Sequence, residues 1–174
     1  LTQLAKQTIV DQSDALELKH HIIEFNGDEC WVSGDRMALT SLLNNLLGNA
    51  IKYTPEGGRI AVNTWLRGRN VVLEVMDNGP GIPDAERARV FDRFYRLGGD
   101  RHNSKTPGCG LGLSIVQQVV NLHAAHIALT QSRFGSGLLV MVTFAARLST
   151  DTNTKNIHDQ SLLDHEARND ETYS

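Results

Sequence analysis

Apolar positions recur with two different periods along this chain, and the switch between them marks out its elements. Leu39, Leu42, Leu43, Leu46, Leu47, Ala50 and Ile51 return at steps of three and four. At 3.6 residues per turn they form one stripe, which predicts an amphipathic helix with Ser33 or Asp35 as its cap. From Ile60 the step falls to two, through Ile60, Val62, Thr64 and Leu66 and then Val71, Leu73 and Val75. The break at Arg67-Gly68-Arg69-Asn70 between these runs predicts a β-hairpin. A second helix is expected over Leu111 to Leu122, with Leu113, Val116 and Val120 on one side. Ile127-Ala128-Leu129 and Leu138 to Phe144 then form a closing hairpin around Phe134-Gly135-Ser136-Gly137. Nearer the start, the alternation Leu16, Leu18, His20, Ile22 predicts a half-buried strand over Leu16 to Phe25, and Cys30-Trp31-Val32 a short second one. A short helix near Asp84 to Val90 leads into a glycine-rich polar stretch from Leu97 to Gly110, which lacks periodicity and reads as a mobile loop. The expected fold is α/β, with helices on one face of a mixed sheet.

The ends of the chain differ from this middle. Leu1, Leu4, Ile9 and Val10, followed by Asp11 and Asp14, read as the end of a helix and a connector, so residues 1–15 are expected to precede a main domain at 16–147. After Arg147 the composition turns to Asp, Asn, Thr, Glu and Ser with only Leu148, Ile157, Leu162 and Leu163 as anchors. Those are too few to offset the entropy of ordering, and residues 148–174 are expected to be a polar, disordered tail. The formal charge of −3 is well mixed, which disfavours a nucleic-acid partner held by phosphate neutralisation. Cys30 and Cys109 are isolated, without the spacing of a zinc site or a disulfide framework, and fit a reducing, cytoplasmic setting. No run approaches the roughly 20 apolar residues of a membrane helix, and the start lacks a signal pattern.

Four separated boxes carry candidate chemistry. In the first helix Asn45, Asn49 and Lys52 are spaced by four and three, so they share one strip beside the apolar stripe. Amide oxygens there suit a hard cation such as Mg²⁺, and Lys52 suits a phosphate, although a solvated helix face would show the same residues. Tyr53 follows and is placed to stack on a base or to pack on the core. Asp77 ends a strand and precedes Gly79 and Gly81, where a carboxylate at a tight turn accepts a hydrogen bond from an exocyclic amine such as that of adenine, or simply forms an Asx-turn. Gly108, Gly110 and Gly112 precede the second helix, and bare backbone amides at a helix N-terminus make an anion site. The preceding loop excludes a Rossmann fingerprint, and Leu113-Ser114 excludes a P-loop. Phe91, Phe94 and Tyr95 read as an anchor at the head of the loop, with Arg96 and Arg101 placed to reach a γ-phosphate on closure and Arg93 read as exposed. The histidines lack the neighbours of a metal site or a phosphoacceptor, and no nucleophile is paired with a base.

With these boxes in place the chain resembles, from about Leu16 to Ala146, the catalytic and ATP-binding domain of bacterial two-component sensor histidine kinases. That family belongs to the superfamily shared with gyrase and the heat-shock chaperone ATPases. Asn45 to Pro55 resembles its asparagine box, Asp77 to Pro83 its first glycine box, Phe91 to Arg96 its phenylalanine box and Gly108 to Leu113 its second glycine box. The resemblance implies a two-layer α/β sandwich of the Bergerat type that binds ATP and Mg²⁺. It implies that Asn49 binds the metal, that Asn45 and Lys52 sit at the phosphates, that Tyr53 stacks near adenine and that Asp77 bonds its amino group. It also implies that Gly79, Gly81 and Ile82 line the base pocket. Phe94, Arg96, Arg101, Gly108, Gly110, Leu111, Gly112 and Leu113 then surround the phosphates under a lid. Two residues depart from the family pattern: Cys109 stands where a small hydroxyl residue or alanine is frequent, and Leu138 where threonine is frequent.

The resemblance further implies transfer of the γ-phosphate to a histidine on an upstream dimerisation domain, of which Leu1 to Val10 would be the end. A response regulator receiver domain is the implied onward acceptor. The parent protein would be a homodimer in the bacterial inner membrane, this portion a monomeric cytoplasmic domain. Rival readings are an anti-sigma-type serine kinase of the same superfamily, disfavoured by the Phe-Asp-Arg-Phe segment, and a module in which nucleotide occupancy controls contact with a partner.

Overall fold

A computed structural model of the chain describes residues 1–97 and 109–145. Two short helices, α1 (Thr2–Asp11) and α2 (Ser13–Leu18), lead into strand β1 (Ile22–Gly27) and the long helix α3 (Arg36–Tyr53). Strands β2 (Arg59–Arg67) and β3 (Asn70–Asp77) follow, then two 3₁₀ turns at Asp84–Glu86 and Arg89–Phe91, helix α4 (Gly112–Leu122) and strands β4 (His126–Gln131) and β5 (Leu138–Ala145). The five strands lie in the order β1-β2-β3-β5-β4, with β1 and β2 parallel and the other pairs antiparallel.

Helix α3 begins where Asp35 accepts a 2.7 Å hydrogen bond from the Ala38 N–H, the cap that its sequence offers. All seven residues of its apolar stripe are buried. They pack with Val116 and Val120 of α4 against Ile60, Val62, Val71, Leu73, Val75, Val140, Val142 and Phe144 of the sheet. The opposite sheet face carries only a small cluster of Ala61, Met76 and Leu139 with Phe134 and Met141. That asymmetry makes a two-layer α/β sandwich. On the thinner face the buried Glu74 is held by both guanidinium nitrogens of Arg133, at 3.2 and 2.5 Å. Pairing satisfies a carboxylate that burial alone would disfavour.

The structure departs from the sequence expectations in three places. The segment predicted as a strand from Leu16 to Phe25 is helical to Leu18 and becomes a strand only at Ile22. Of the alternating set only Leu16 is buried, and Leu18 is 81% exposed, so the alternation marks no half-buried face. His20, at φ 53°, and His21 lie in the turn between helix and strand. In Cys30-Trp31-Val32 only Val32 makes a bridge. The Cys30 N–H instead donates to Thr2 Oγ1 at 3.0 Å, so its backbone is committed to α1 rather than to a ladder. The helix expected near Asp84 to Val90 is two single 3₁₀ turns. Leu1, which precedes α1, Ala5 of α1 and Leu16 of α2 join the main core. The expected mobile loop, apart from Leu97, Cys109 and Gly110, and the expected tail lie outside the described residues. Among the described residues no helix is long and apolar enough to cross a membrane.

Candidate functional site

The site is built where β3 ends. Val75 and Asp77 are two residues apart and so share the helix-facing side of the sheet, and Val75 is paired with Val140 of β5. Asp77 Oδ1 accepts hydrogen bonds from the Gly79 N–H at 2.8 Å and the Leu138 N–H at 3.2 Å. The residue is 7% exposed, and burial pushes its carboxyl above the ordinary aspartate range while the two backbone donors oppose the shift. The turn around it leaves no room for side chains. A Cβ on Gly137, which has φ 102°, would lie 2.0 Å from the Asp77 carbonyl oxygen, and one on Gly79 would lie 2.9 Å from the Tyr53 carbonyl.

Above this floor runs α3. Asn45 Nδ2 donates to the Ser41 carbonyl at 2.8 Å, the back-bond open to a polar side chain one turn along a helix, and its Oδ1 lies on the side of Gly112. Gln12 Nε2, at the break between α1 and α2, donates to Asn44 Oδ1 at 3.1 Å. Lys52 Nζ lies 4.6 Å above the Tyr53 ring and donates to its hydroxyl at 3.1 Å. The N-terminus of α4 closes the far end, where a Cβ on Gly112 would come within 3.2 Å of Asn45 Oδ1 and 3.3 Å of Asn49 Nδ2. The first amides of an 11-residue helix therefore abut the two asparagines. Those amides have no intrahelical acceptor and carry the positive end of the helix dipole. The Phe94 N–H, on a residue with φ 65°, donates to the Gly110 carbonyl at 3.0 Å and ties the phenylalanine box to the root of α4.

Together these elements enclose a cavity of about 460 Å³, within the roughly 300–1,000 Å³ of small-molecule sites. Of the residues expected from sequence, Asn45, Asn49, Lys52, Tyr53, Asp77, Gly81, Ile82, Arg96, Gly110, Leu111, Gly112 and Leu113 line it. Gly79 serves it from behind, through its bond to Asp77. Phe94 does not line the cavity and is 51% exposed. Arg101 and Gly108 lie outside the described residues. Sequence reasoning missed Asn44 and the apolar floor of Val75 and Val140, and it named Tyr95 as a loop anchor and Leu138 as a departure from the family pattern without placing either in the cavity. Counting by twos back from Asp77 would have found Val75, and strand pairing then adds Val140.

Among the described residues no three His, Cys, Asp or Glu side chains gather into a metal site. The acceptor oxygens beside the α4 N-terminus are the amides of Asn45 and Asn49. Such a pair suits Mg²⁺ arriving with phosphate oxygens and waters as its other ligands, the usual way this cation is bound. A buried acceptor at one end, an anion-binding helix terminus at the other and amide oxygens between them match the base, phosphates and metal of a nucleotide.

The family described as "Histidine kinase-, DNA gyrase B-, and HSP90-like ATPase" matches residues 34–148. The sensor protein kinase PmrB of Pseudomonas aeruginosa is 38% identical over 142 residues, 82% of this chain and 28% of PmrB. The chain therefore spans little more than a quarter of that relative. Among solved structures, a mycobacterial sensor histidine kinase MprB superposes with a TM-score of 0.71 at 29% identity, covering 84% of this chain and 94% of that one. Full-length ShkA in complex with AMPPNP superposes with a TM-score of 0.70 at 25% identity, over 84% of this chain and 30% of that one.

Proposed function

This chain belongs to the histidine kinase-, DNA gyrase B- and HSP90-like ATPase family, among the sensor histidine kinases, and from that premise we propose that its cavity binds MgATP and supplies the γ-phosphoryl group to a histidine of an upstream dimerisation domain. The observation that carries the proposal is the convergence of Asp77, Asn45, Asn49 and the α4 N-terminus on one cavity. The AMPPNP complex of ShkA, which shares the fold, supports an adenine nucleotide as the ligand.

In this reading Asp77 accepts a hydrogen bond from the adenine amino group, between Ile82 on one side and Tyr53 on the other. The α4 amides from Gly110 to Gly112 and the Lys52 ammonium meet the phosphates, and Arg96 approaches them from the phenylalanine box, with Phe94 setting its root. Arg101 and Gly108 complete the phosphate end. Asn49 would hold Mg²⁺, which would supply positive charge to offset that developing on the phosphates, and Asn45 would sit at the phosphates. Catalysis of this kind consists of positioning and charge neutralisation, so no nucleophile is needed within the cavity. The incoming imidazole nitrogen forms the N–P bond with its lone pair while the bond to the β-phosphate oxygen breaks and ADP keeps those electrons. Residues 1–15 belong to the connection with that upstream domain, 16–147 to the catalytic domain and 148–174 to a polar tail. The phosphoryl group passes on to a response regulator aspartate, and the parent is a homodimer anchored in the inner membrane with this domain in the cytoplasm.

Incubating the chain with γ-labelled ATP, alone and with the histidine-bearing helix pair of its parent, tests the proposal. Acid-labile, alkali-stable label on the helix pair is the expected result. ATP binding without any label would contradict transfer and favour a module controlled by nucleotide occupancy.

A further inference from the structure

The last turn of α3 carries two cavity residues, Lys52 and Tyr53, and it is held from outside the cavity. Carbonyls at a helix C-terminus have no intrahelical donor, and they form the negative end of the helix dipole. In this protein one side chain meets three of them in that region. Lys19, in the turn after α2, is half-buried, and its Nζ donates to the carbonyls of Ile51 at 2.8 Å, Lys52 at 3.0 Å and Thr54 at 3.5 Å. His21 Nε2 lies 3.1 Å from the same Ile51 carbonyl. The grip includes the main chain, because the Lys19 carbonyl accepts from the Gly57 N–H at 2.9 Å and the Gly58 carbonyl accepts from the Ile22 N–H at 2.9 Å. Among the described residues Lys19 makes no ion pair. Among the described residues its ammonium donates to these three carbonyls.

This turn is also the one that touches the base end of the cavity. A Cβ on Gly79 would lie 2.9 Å from the Tyr53 carbonyl, so the end of α3 rests directly on the turn that holds Asp77. We propose that Lys19 is a positioning residue of the nucleotide site: it clamps the end of α3 so that Lys52 and Tyr53 are presented to the cavity, and it thereby makes nucleotide affinity depend on the α2–β1 turn. The proposal rests on the nucleotide reading above. Without the ammonium the last α3 carbonyls lose their donors, the terminal turn frays and the main chain from which Lys52 and Tyr53 reach the cavity loses its fixed place. Gln12 grips Asn44 from the same N-terminal segment, so both ends of the cavity-lining stretch of α3 are tied to it.

The test is a double-mutant cycle on the full chain, read by calorimetric titration with MgATP, with thermal unfolding as the check on folding. Lys19→Met keeps the aliphatic stem and removes the donors, and should weaken MgATP binding about five- to tenfold in a chain that still unfolds cooperatively. Lys19→Arg, which returns a charge to the helix end, should recover part of the loss. In a Lys52→Ala background the same Lys19→Met change should cost less than about twofold, because its effect runs through the turn that Lys52 occupies. A merely structural role would give the same factor in both backgrounds and would overturn the proposal, as would Lys19→Met binding MgATP like the parent. If Lys19→Met does not fold, Lys19→Gln, which keeps an uncharged amide donor on a shorter side chain, is read through the same cycle. A parent chain that binds no MgATP would refute the nucleotide reading itself, whereas binding that is indifferent to Lys19 would refute this inference alone.

Discussion

The two ends of the cavity are built by different means. At the base end the Asp77 carboxylate is fixed by backbone: two main-chain N–H groups on Oδ1, on a β3 strand whose residues from Val71 to Asp77 are all buried. At the phosphate end the polar groups bond to other parts of α3 itself, Asn45 to the carbonyl one turn back and Lys52 to the neighbouring Tyr53 hydroxyl. Backbone held in a sheet cannot shift without disturbing the core, whereas a lysine resting on a tyrosine that is 44% exposed can turn to a new partner at small cost. On the nucleotide reading proposed above, the base end is therefore preorganised to choose a ligand, and the phosphate end can adapt to charge that moves during reaction.

The sharpest way to break this contrast is to disturb the rigid end. Gly137→Ala places a methyl where the Asp77 carbonyl already lies, at a φ that side chains rarely adopt. It should destabilise the fold by more than about 2 kcal/mol in chemical denaturation and abolish ATP binding. Asp77→Asn keeps the shape and loses the charge, and the new amide presents a donor as well as an acceptor. ATP affinity should fall about ten- to a hundredfold and adenine should lose its advantage over guanine, as read by titration with ATP and GTP.

At the adaptable end, Asn49→Ala should abolish the Mg²⁺ dependence of ATP affinity while leaving metal-free binding nearly intact. An unchanged ratio of affinities with and without Mg²⁺ would show the metal assignment to be wrong. A gentler probe is pH. Burial raises the Asp77 carboxyl, and a bound amino group favours its charged form, so binding lowers that value. Affinity should be full above the raised value and decline as pH falls through it, at higher pH than an exposed aspartate would show, and Asp77→Asn should flatten the profile. The smallest effect is expected at Gly48, mid-helix, where an added Cβ meets only Gln12 Oε1 at 3.9 Å. Gly48→Ala should raise stability by about 0.5–1 kcal/mol, measured by denaturation.

The same contrast explains what could be read in the sequence. Helix α3 and the β2–β3 hairpin were legible because each sends one periodic set of apolar residues into the main core, at steps of three and four in the helix and of two in the strands. Lys52 and the asparagines were legible as a strip for the same geometric reason. The segment from Leu16 to Val32 was not, because its structure is set by partners distant in sequence. Lys19 and His21 answer carbonyls of α3, and Cys30 answers Thr2. Leu138 escaped notice as a site residue because it contributes a main-chain N–H, which no side-chain pattern records. The resemblance of the four boxes to a known family implied a functional reading of each where spacing alone left a bland one open as well.

A crystal structure of the chain with Mg²⁺ and a non-hydrolysable ATP analogue would test the central claim most directly. The account predicts the adenine amino group within about 3 Å of the Asp77 carboxylate, the phosphates at the α4 N-terminus, and the metal on Asn49 Oδ1 with Lys52 turned away from Tyr53. An analogue bound elsewhere, or bound in the cavity with its base at the α4 end and no ligand on Asp77, would contradict it.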